Sequence, residues 1–211
     1  VIIGQKGDTA EIDRDVAFAA AIGVGTDRYG PKSLNTDVDL RPFDLMLSSL
    51  PNFVERFRRA GVRAELFRLA FDPSVLERLE ADEARTSAAD RDRNIDVSFV
   101  GTLSAHHADR IEWLEGICNQ LNVKVWGNGV DELPASSAIR RAYQGPAWGV
   151  EMYRIHRRSR ISLNHHIGLS GEFANNMRLY ESTGTGTLLL TDLKTNLGDL
   201  FEIGREVAAY E

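Results

Sequence analysis

The stretch "GEFANNMRLYESTGTGTLLLTD", residues 171–192, runs from a glycine-bearing loop through a helical segment into an apolar strand. We expect the helix to begin near Asn175 and Asn176, because asparagine is a favoured N-cap residue. It then ends at Gly184, and a strand follows over Thr187–Thr191. Another strand-length apolar run precedes the stretch. A strand, a helix and a second strand in this order favour a parallel α/β sheet.

The same alternation of apolar runs and helical patterns extends along the chain. Most runs are continuously apolar, which is typical of strands that are covered on both faces. The predicted strands are Val1–Ile3, Phe43–Ser48, Ala64–Leu69, Val97–Gly101, Val123–Trp126, Ile161–Asn164 and Thr187–Thr191. Helices are predicted after Pro51, a residue suited to a first helical turn, and from about Ala108 to Leu121. The predicted fold class is therefore α/β, with parallel sheets and helices on both faces.

The segment "LEADEARTSAADRDRN", Leu79–Asn94, interrupts the alternation with dense mixed charge and almost no large apolar residue. Such a composition buries too little apolar surface to order itself strongly, which indicates a linker or an exposed helix. We therefore divide the chain into a first domain at 1–78, a charged linker at 79–94 and a second domain at 95–211. The first domain has few strands and no initiator methionine, so we expect it to be incomplete.

Composition limits the classes of function. Of the 211 residues, 43% are hydrophobic and 27% are charged, as in soluble globular proteins. A net charge of −6 argues against general binding to nucleic acid or to anionic membranes. The single cysteine, Cys118, excludes an internal disulfide and fits a reducing cytoplasm. No apolar run reaches the length of a transmembrane helix.

One candidate binding loop lies in "VSFVGTLSAHHADR", residues 97–110, which reads as a strand, a turn and a helix. Backbone N–H groups and the positive end of a helix can face an anion at such a turn. Gly101 permits close approach, while the hydroxyl groups of Thr102 and Ser104 can donate hydrogen bonds. The alternative is an ordinary turn in which Ser104 caps the helix.

A second candidate lies at the start of the helix in the opening stretch. Its first-turn N–H groups, near Asn176, suit a diphosphate. Glu181, one turn further along, would accept hydrogen bonds from a neighbouring ribose, as acidic residues do in other nucleotide folds. The alternative is that Glu181 forms an ordinary ion pair with Arg178, three residues earlier on the helix.

Other kinds of site find little support. The histidine pairs 106–107 and 165–166 are adjacent, and adjacent side chains point apart, so a metal site is not expected. His165 and His166 follow a predicted strand, where they could contact a ligand or serve a surface or packing role. The chain has no P-loop, no dinucleotide fingerprint and no GxSxG elbow.

Taken together, these segments resemble a known family. "NNMRLYESTGTGTLLLTD", with "NLGDLF" and "GREVAAYE" downstream, resembles the C-terminal domain of CgeB-like, group-1 glycosyltransferases. Their hallmark is an N-x-R-x-(F/Y)-E helix, a small-residue turn, a strand ending in Thr-Asp and a later E-V-x-x-Y. "FVGTLSAHHADR" resembles the first strand and phosphate-side loop of that domain. The resemblance implies a GT-B architecture, in which two Rossmann-like domains face each other and the C-terminal one holds a nucleotide-sugar donor.

The resemblance also implies residue roles. Glu181 would bind the donor ribose, and Trp148 would approach the base. The leaving diphosphate would be stabilised by Asn175, Asn176, Met177 and Arg178 from one side and by Gly101 and Thr102 from the other. The candidate catalytic residues are Glu172 and His165. Eight residues separate Glu172 from Glu181, whereas related retaining enzymes have seven between their two glutamates.

The predicted function is therefore transfer of a sugar from a nucleotide-diphosphate-sugar donor to a glycan, lipid or protein acceptor. We expect a cytoplasmic bacterial enzyme that needs no metal or other cofactor and has no nucleic-acid partner. Two alternatives stay open, namely a nucleotide-sugar epimerase or hydrolase and a non-catalytic spore or envelope maturation protein that keeps the fold as an interaction module.

Overall fold

A computed structural model describes residues 2–5, 43–84, 93–103 and 108–211. The chain forms two compact units, each made from three segments. The first unit comprises Val1–Leu69, Gly168–Asn176 and Lys194–Asn196, and the second comprises Ala70–Ile167, Met177–Leu193 and Leu197–Glu211. Ser104, His106 and His107, which the sequence places in or beside a candidate loop, lie outside the described residues.

The first unit contains a three-stranded sheet. Its strands, in the order β1-β2-β3, are β1 at Ile2–Gln5, β2 at Leu45–Ser48 and β3 at Ala64–Leu66. Strand β1 is antiparallel to β2, while β2 is parallel to β3. Apolar periodicity does not specify the direction of pairing, so the antiparallel pair could not be read from the sequence.

Helix α1, at Pro51–Arg59, covers this sheet. Proline occupies the first helical position, as expected for a residue with a fixed φ and no N–H group. Phe53, Val54 and Phe57 form the buried face of the helix and pack against Met46 and Ala64 of the strands. The predicted helix after Pro51 is confirmed.

The second unit contains a six-stranded sheet in which all neighbouring strands are parallel. Its strand order is β6-β5-β4-β7-β8-β9. The strands are β4 at Ile95–Val100, β5 at Val123–Trp126, β6 at Tyr143–Gly145, β7 at Ser159–Leu163, β8 at Leu188–Asp192 and β9 at Val207–Tyr210. The helices are α2 at Ser74–Glu83, α3 at Ala108–Gln120, α4 at Ala138–Ala142, α5 at Gly149–Arg158, α6 at Met177–Gly184 and α7 at Leu197–Leu200.

Two separate groups of buried side chains line this sheet. Leu114 of α3 packs in one group with Phe99 and Val125, whereas Ile155 of α5 packs in the other with Val100. Phe99 and Val100 are consecutive in β4, and consecutive strand residues point to opposite faces. Helices therefore cover both faces of the parallel sheet, as the continuous apolar runs predicted.

The predicted linker is partly a packed helix. Helix α2 continues to Glu83, and Leu79 within it is 1% exposed. Its charged side meets α5, where Arg157 lies 2.6 Å from Glu83 and Arg154 lies 2.5 Å from Asp82. The mixed charge that suggested a linker at 79–94 is therefore, over its first five residues, one side of a helix–helix contact. Residues 85–92 lie outside the described chain.

The strand order reverses at β4, because β5 lies on one side of it and β7 on the other. In open α/β sheets, ligands bind in the crevice outside the carboxyl ends of the strands at such a switch point. Helix α3 follows β4 along the chain and α6 follows β7. The N-terminal ends of both helices therefore belong to the edge where a ligand is expected.

No helix among the described residues is long and apolar enough to cross a membrane.

Candidate functional site

Arg178, the second residue of α6, makes two contacts through one guanidinium nitrogen. Its Nη1 lies 2.8 Å from Oε2 of Glu181 and 2.7 Å from Nε2 of His156. The side chains of Arg178 and Glu181 are only 17% and 11% exposed. The ion pair that the three-residue spacing favours is therefore present, and it is withdrawn from bulk water.

Burial dominates the electrostatics of this pair. It lowers the pKa of Arg178, although the charge of Glu181 works in the opposite direction. It also raises the pKa of Glu181, and Arg178 only partly opposes that shift. Both directions disfavour the charged forms, so the attraction between the partners does not fully offset their desolvation. The pair is consequently a poor source of fold stability.

His156, near the end of α5, lies beneath Arg178 and is fully buried. Its Nδ1 is 3.1 Å from Oγ of Ser162 in β7 and 3.4 Å from Oγ of Ser182 in α6. Burial, and after it the charge of Arg178, hold the pKa of His156 well below its usual value. The imidazole is therefore neutral at physiological pH and can accept a hydrogen bond from the arginine.

Arg110, in the first turn of α3, supplies a second cation. Its Nη1 donates to the carbonyl oxygen of Thr102 at 3.3 Å. Its Nε is buried and has no hydrogen-bond partner among the residues that the structure describes. Burial and then the positive charge of Arg178 lower the pKa of Arg110 to about 10, against an opposing effect of Asp192 and Tyr210. Arg110 therefore stays charged at neutral pH and lies close enough to Arg178 for the two charges to repel.

These two arginines occupy electrostatically unfavourable positions. The N-terminal end of a helix carries a partial positive charge, so a cation in the first turn is disfavoured and an anion is favoured. Arg110 and Arg178 each occupy the first turn of a helix that begins at the switch point. An anion bound between them would relieve both the mutual repulsion and the conflict with the helix ends.

The loop after β4 is shaped by two glycines. The N–H group of Gly101 donates to the carbonyl oxygen of Trp126 at 3.0 Å, so it is already engaged by the neighbouring strand. Gly127 has a φ of +143°, and a Cβ atom there would lie 1.7 Å from the carbonyl oxygen of Gly101. The two glycines therefore allow the ends of β4 and β5 to approach closely. Thr102, the next residue in the loop, is exposed.

A histidine and an aspartate join the ends of β7 and β8. Nδ1 of His166 lies 2.6 Å from Oδ1 of Asp192, and the backbone N–H of His166 donates to the same oxygen at 2.9 Å. Burial alone would raise the pKa of Asp192, but the hydrogen bonds from His166 hold it below its usual value. Nε2 of His166 is buried and has no partner within the described part of the chain.

His165 has a different environment. Its ring stacks on Trp113 with 5.2 Å between ring centroids, and its Nδ1 lies 3.0 Å from the hydroxyl oxygen of Tyr210. Trp113 and Tyr210 stack on each other at the same distance. These contacts correspond to the packing role that the sequence left open, and the catalytic role of His165 stays a prediction.

The other predicted residues are distributed over both units. Glu172, Asn175 and Asn176 belong to the first unit, where the side chain of Asn175 donates to the carbonyl oxygen of Ser49. In the second unit, Met177 and Trp148 are 42% and 67% exposed. Their assignments to a nucleotide sugar stay predictions.

Among the described residues, no three His, Cys, Asp or Glu side chains are grouped so that they could hold a metal ion.

Sequence reasoning missed Arg110 and His156. Arg110 ends the motif that suggested an anion site, and a basic residue in the first turn of a helix was a usable signal. His156 gave no such signal, since a lone histidine in a helix with several basic neighbours resembles a solvated residue.

Comparison with known proteins adds to this geometry. Residues 107–211 match a protein-family model described as glycosyl transferase-like. The fold resembles that of Anabaena Alr3699/HepE, in a crystal structure with UDP and glucose, with a TM-score of 0.54 and 15% identity over 80% of this chain. A second crystal structure of HepE, with UDP-glucose, gives a TM-score of 0.52 and 14% identity over 81% of this chain. No curated protein matches the chain.

The chain spans about half the length of these HepE chains, since the match covers 50% of each of them. The predicted α/β, GT-B-like fold class is confirmed, with the one difference that β1 pairs antiparallel with β2 in the first sheet. The part of the chain that matches the glycosyl transferase-like model includes both arginines, Glu181 and His156.

Proposed function

We propose that the second unit binds the diphosphate of a nucleotide-sugar donor and that the chain belongs to a glycosyltransferase. One observation carries the proposal. Arg110 and Arg178 occupy the first turns of the two helices that begin at the switch point of a parallel sheet, within range for their charges to repel. A diphosphate is an anion whose charge and position at helix N-termini suit such a pair.

The two arginines would also assist the sugar transfer itself. When the sugar leaves the donor, negative charge develops on the diphosphate. Fixed donors in a dry site stabilise that charge without having to reorganise during the reaction. The contacts of Arg178 with Glu181 and His156 both use Nη1, and its other N–H groups would donate to the leaving group. Nε of Arg110 is unpartnered within the part of the chain that the structure describes.

Glu181 would hold the ribose of the donor. Its Oε2 binds Arg178, which leaves Oε1 to accept from a ribose hydroxyl group. The residue is 8% exposed, so a hydrogen bond there competes little with bulk water. An ion pair that contributes little to stability is consistent with a carboxylate and a guanidinium that are kept for binding.

The remaining assignments are part of the same proposal. Trp148 contacts the base, while Glu172 and His165 are the residues to test for catalysis. The chain acts in the cytoplasm, as a CgeB-like enzyme, without a bound metal. HepE was crystallised with UDP and with UDP-glucose, which supports UDP as the first nucleotide to test.

The test is a calorimetric titration of the chain with UDP, GDP, ADP and dTDP. We expect saturable binding of at least one of them. Arg110→Gln should weaken it by about 1.5–3 kcal/mol, the range for a hydrogen bond to a charged group. Arg160→Gln is the matched control, because Arg160 is an exposed arginine near the opposite end of β7 that pairs with Asp96.

A chain that binds no nucleoside diphosphate, or one whose binding responds equally to Arg110→Gln and Arg160→Gln, would contradict the proposal. Product analysis with UDP-glucose, with and without added acceptors, then separates the reactions. Sugar transfer supports a glycosyltransferase, whereas release of free glucose or formation of an epimer would indicate a hydrolase or an epimerase.

A further inference from the structure

Arg178 is held by two partners of different chemical kinds. Nη1 meets a carboxylate oxygen of Glu181 and the imidazole Nε2 of His156, at 2.8 and 2.7 Å. A guanidinium group can only donate hydrogen bonds, so Nε2 of His156 must present its lone pair. The imidazole is then neutral and carries its proton on Nδ1.

The surroundings of Nδ1 agree with this tautomer. Ser162 Oγ lies 3.1 Å from Nδ1 and can accept its proton. Ser182 Oγ donates to Ser162 Oγ at 3.1 Å, which links α6 to the same group. The backbone of His156 is also fixed, because the hydroxyl group of Thr187 donates to its carbonyl oxygen. The ring therefore has a defined position and a defined protonation state.

A neutral hydrogen-bond acceptor can fix an arginine side chain without reducing its charge, which a second carboxylate cannot do. A carboxylate fixes a guanidinium group but also neutralises it, which weakens its attraction for a phosphate. An imidazole fixes the group and leaves its charge unchanged. Arginine side chains have large rotamer freedom, so a second anchor on Nη1 reduces the ordering that a ligand would otherwise impose.

We infer that His156 is a positioning residue for the diphosphate: its Nε2 holds Arg178 in the orientation in which the remaining guanidinium N–H groups face the ligand. The inference rests on the proposed function. Because His156 is fully buried, it would not contact the nucleotide itself. It acts through Arg178, from a layer of buried serine hydroxyl groups between β7 and α6.

The wild-type chain offers a first test that needs no substitution. In a ¹⁵N spectrum of the histidine side chains at pH 7, we expect a pyridine-type signal for Nε2 of His156 and a pyrrole-type signal for Nδ1. The assignment can be made from the loss of these signals in His156→Gln. A proton on Nε2 would exclude donation from Arg178 and would overturn the inference.

The second test compares three variants. His156→Gln can place an amide oxygen where Nε2 lies, whereas His156→Leu of similar size cannot accept a hydrogen bond. Thr187→Val is the matched control, since it removes a buried hydrogen bond to the backbone of the same histidine and leaves the ring untouched. Each variant is titrated with UDP by calorimetry and with uridine by saturation-transfer NMR.

We expect His156→Leu to weaken UDP binding by about tenfold or more, the loss typical of a hydrogen bond to a charged group. Uridine binding should change by less than about twofold, because the nucleoside lacks the diphosphate that Arg178 holds. The Gln variant should recover UDP binding to within about threefold of wild type, and Thr187→Val should keep the wild-type ratio of UDP to uridine affinity.

Equal losses in the Leu and Gln variants, or equal losses for UDP and uridine, would show that His156 only fills space. The proposed function would survive that result if wild type binds UDP and Arg110→Gln weakens it. If wild type binds no nucleoside diphosphate, the proposed function fails and the inference fails with it. If His156→Leu does not fold, the Gln variant and the wild-type tautomer decide the question.

Discussion

At the scale of single residues, Glu181 is engaged twice in the proposed site. It anchors Arg178 through Oε2 and offers Oε1 to a ribose, so its removal mixes two effects. A ligand that lacks one hydroxyl group separates them, because it removes the ribose contact and leaves the ion pair unchanged.

We predict that the wild-type chain binds UDP more tightly than 2′-deoxy-UDP and that Glu181→Ala removes most of this preference. Glu181→Ala should also weaken UDP binding itself by roughly 1–3 kcal/mol, the range for hydrogen bonds to charged groups and unpaired buried partners. Calorimetry with both ligands on both proteins measures the four values. A preference for UDP that persists undiminished in the variant would show that another group holds the 2′-hydroxyl.

His156 gives a prediction about pH. Its pKa in the folded chain lies well below the ordinary histidine value of about 6.5, because burial and Arg178 disfavour the protonated ring. As the pH falls below about 6.5, the unfolded chain therefore takes up a proton that the folded chain does not. The free energy of unfolding should therefore decrease as the pH falls, by up to about 1.4 kcal/mol per pH unit from His156 alone.

Denaturant titrations at pH 7.5, 6.5 and 5.5 measure this slope. His156→Gln keeps an acceptor for Arg178 but cannot be protonated, so its stability should fall less steeply over the same interval. The other histidines contribute equally to both proteins and cancel in the comparison. Identical slopes would show that the proton uptake lies elsewhere.

Only part of the proposed site could be predicted from the sequence. The Arg178–Glu181 pair follows from helical spacing, which is a local property of the chain. His156 contacts Arg178, and the charge of Arg178 acts on Arg110, only because α3, α5 and α6 pack on one sheet. No local pattern encodes that convergence, so the sequence did not identify either residue as part of the site.

At the scale of elements, the end of α6 rests on an aromatic ring. A Cβ atom on Gly184 would lie 2.2 Å from a ring carbon of Phe71, which itself packs edge-on against Tyr153 of α5. Only a residue without a side chain fits there. The small-residue turn in the opening stretch thus has a packing reason in addition to its turn propensity.

We predict that Gly184→Ala lowers the free energy of unfolding by about 1–3 kcal/mol, the usual cost of overpacking. Gly116→Ala is the control, because Gly116 lies inside α3 and nothing lies within 4 Å of a Cβ atom there. That change should stabilise the chain by up to about 1 kcal/mol through helix propensity. Thermal or denaturant unfolding measures the change in the free energy of unfolding for both variants. No change for Gly184→Ala would mean that Phe71 can move aside.

Element prediction succeeded where the local pattern was strong. The helix at 108–121 and the strand at 123–126 match the structure within one residue. Strands β6 and β9 were missed, because Tyr143–Gly145 is short and Val207–Tyr210 carries two alanines and few large apolar residues. Both lie at the outer positions of the sheet, where a strand is held by one neighbour and needs less apolar character.

At the scale of the whole molecule, nucleotide binding should be visible as thermal stabilisation. A ligand at a hundred times its Kd stabilises the native state by about 2.7 kcal/mol. For a chain of this size we therefore expect the Tm to rise by about 5–10 °C with UDP or whichever nucleoside diphosphate binds. Uridine at the same concentration should give a much smaller shift, and the Arg110→Gln chain should reduce the shift with UDP. Equal shifts for uridine and UDP would place the binding energy outside the diphosphate.

The sequence by itself determined the α/β class, four of the six strands of the second unit, the helix that carries Arg178 and Glu181, and the spacing that pairs them. Apolar periodicity, capping residues and helical neighbours act over a few positions, so they can be read directly along the chain. Only the tertiary structure brought Arg110 within electrostatic range of Arg178 and placed His156 in contact with Arg178, and only it made Leu79 part of a packed helix. Burial and charge interactions between distant segments depend on strand order and on which helix covers which face, and no short stretch of sequence contains that information.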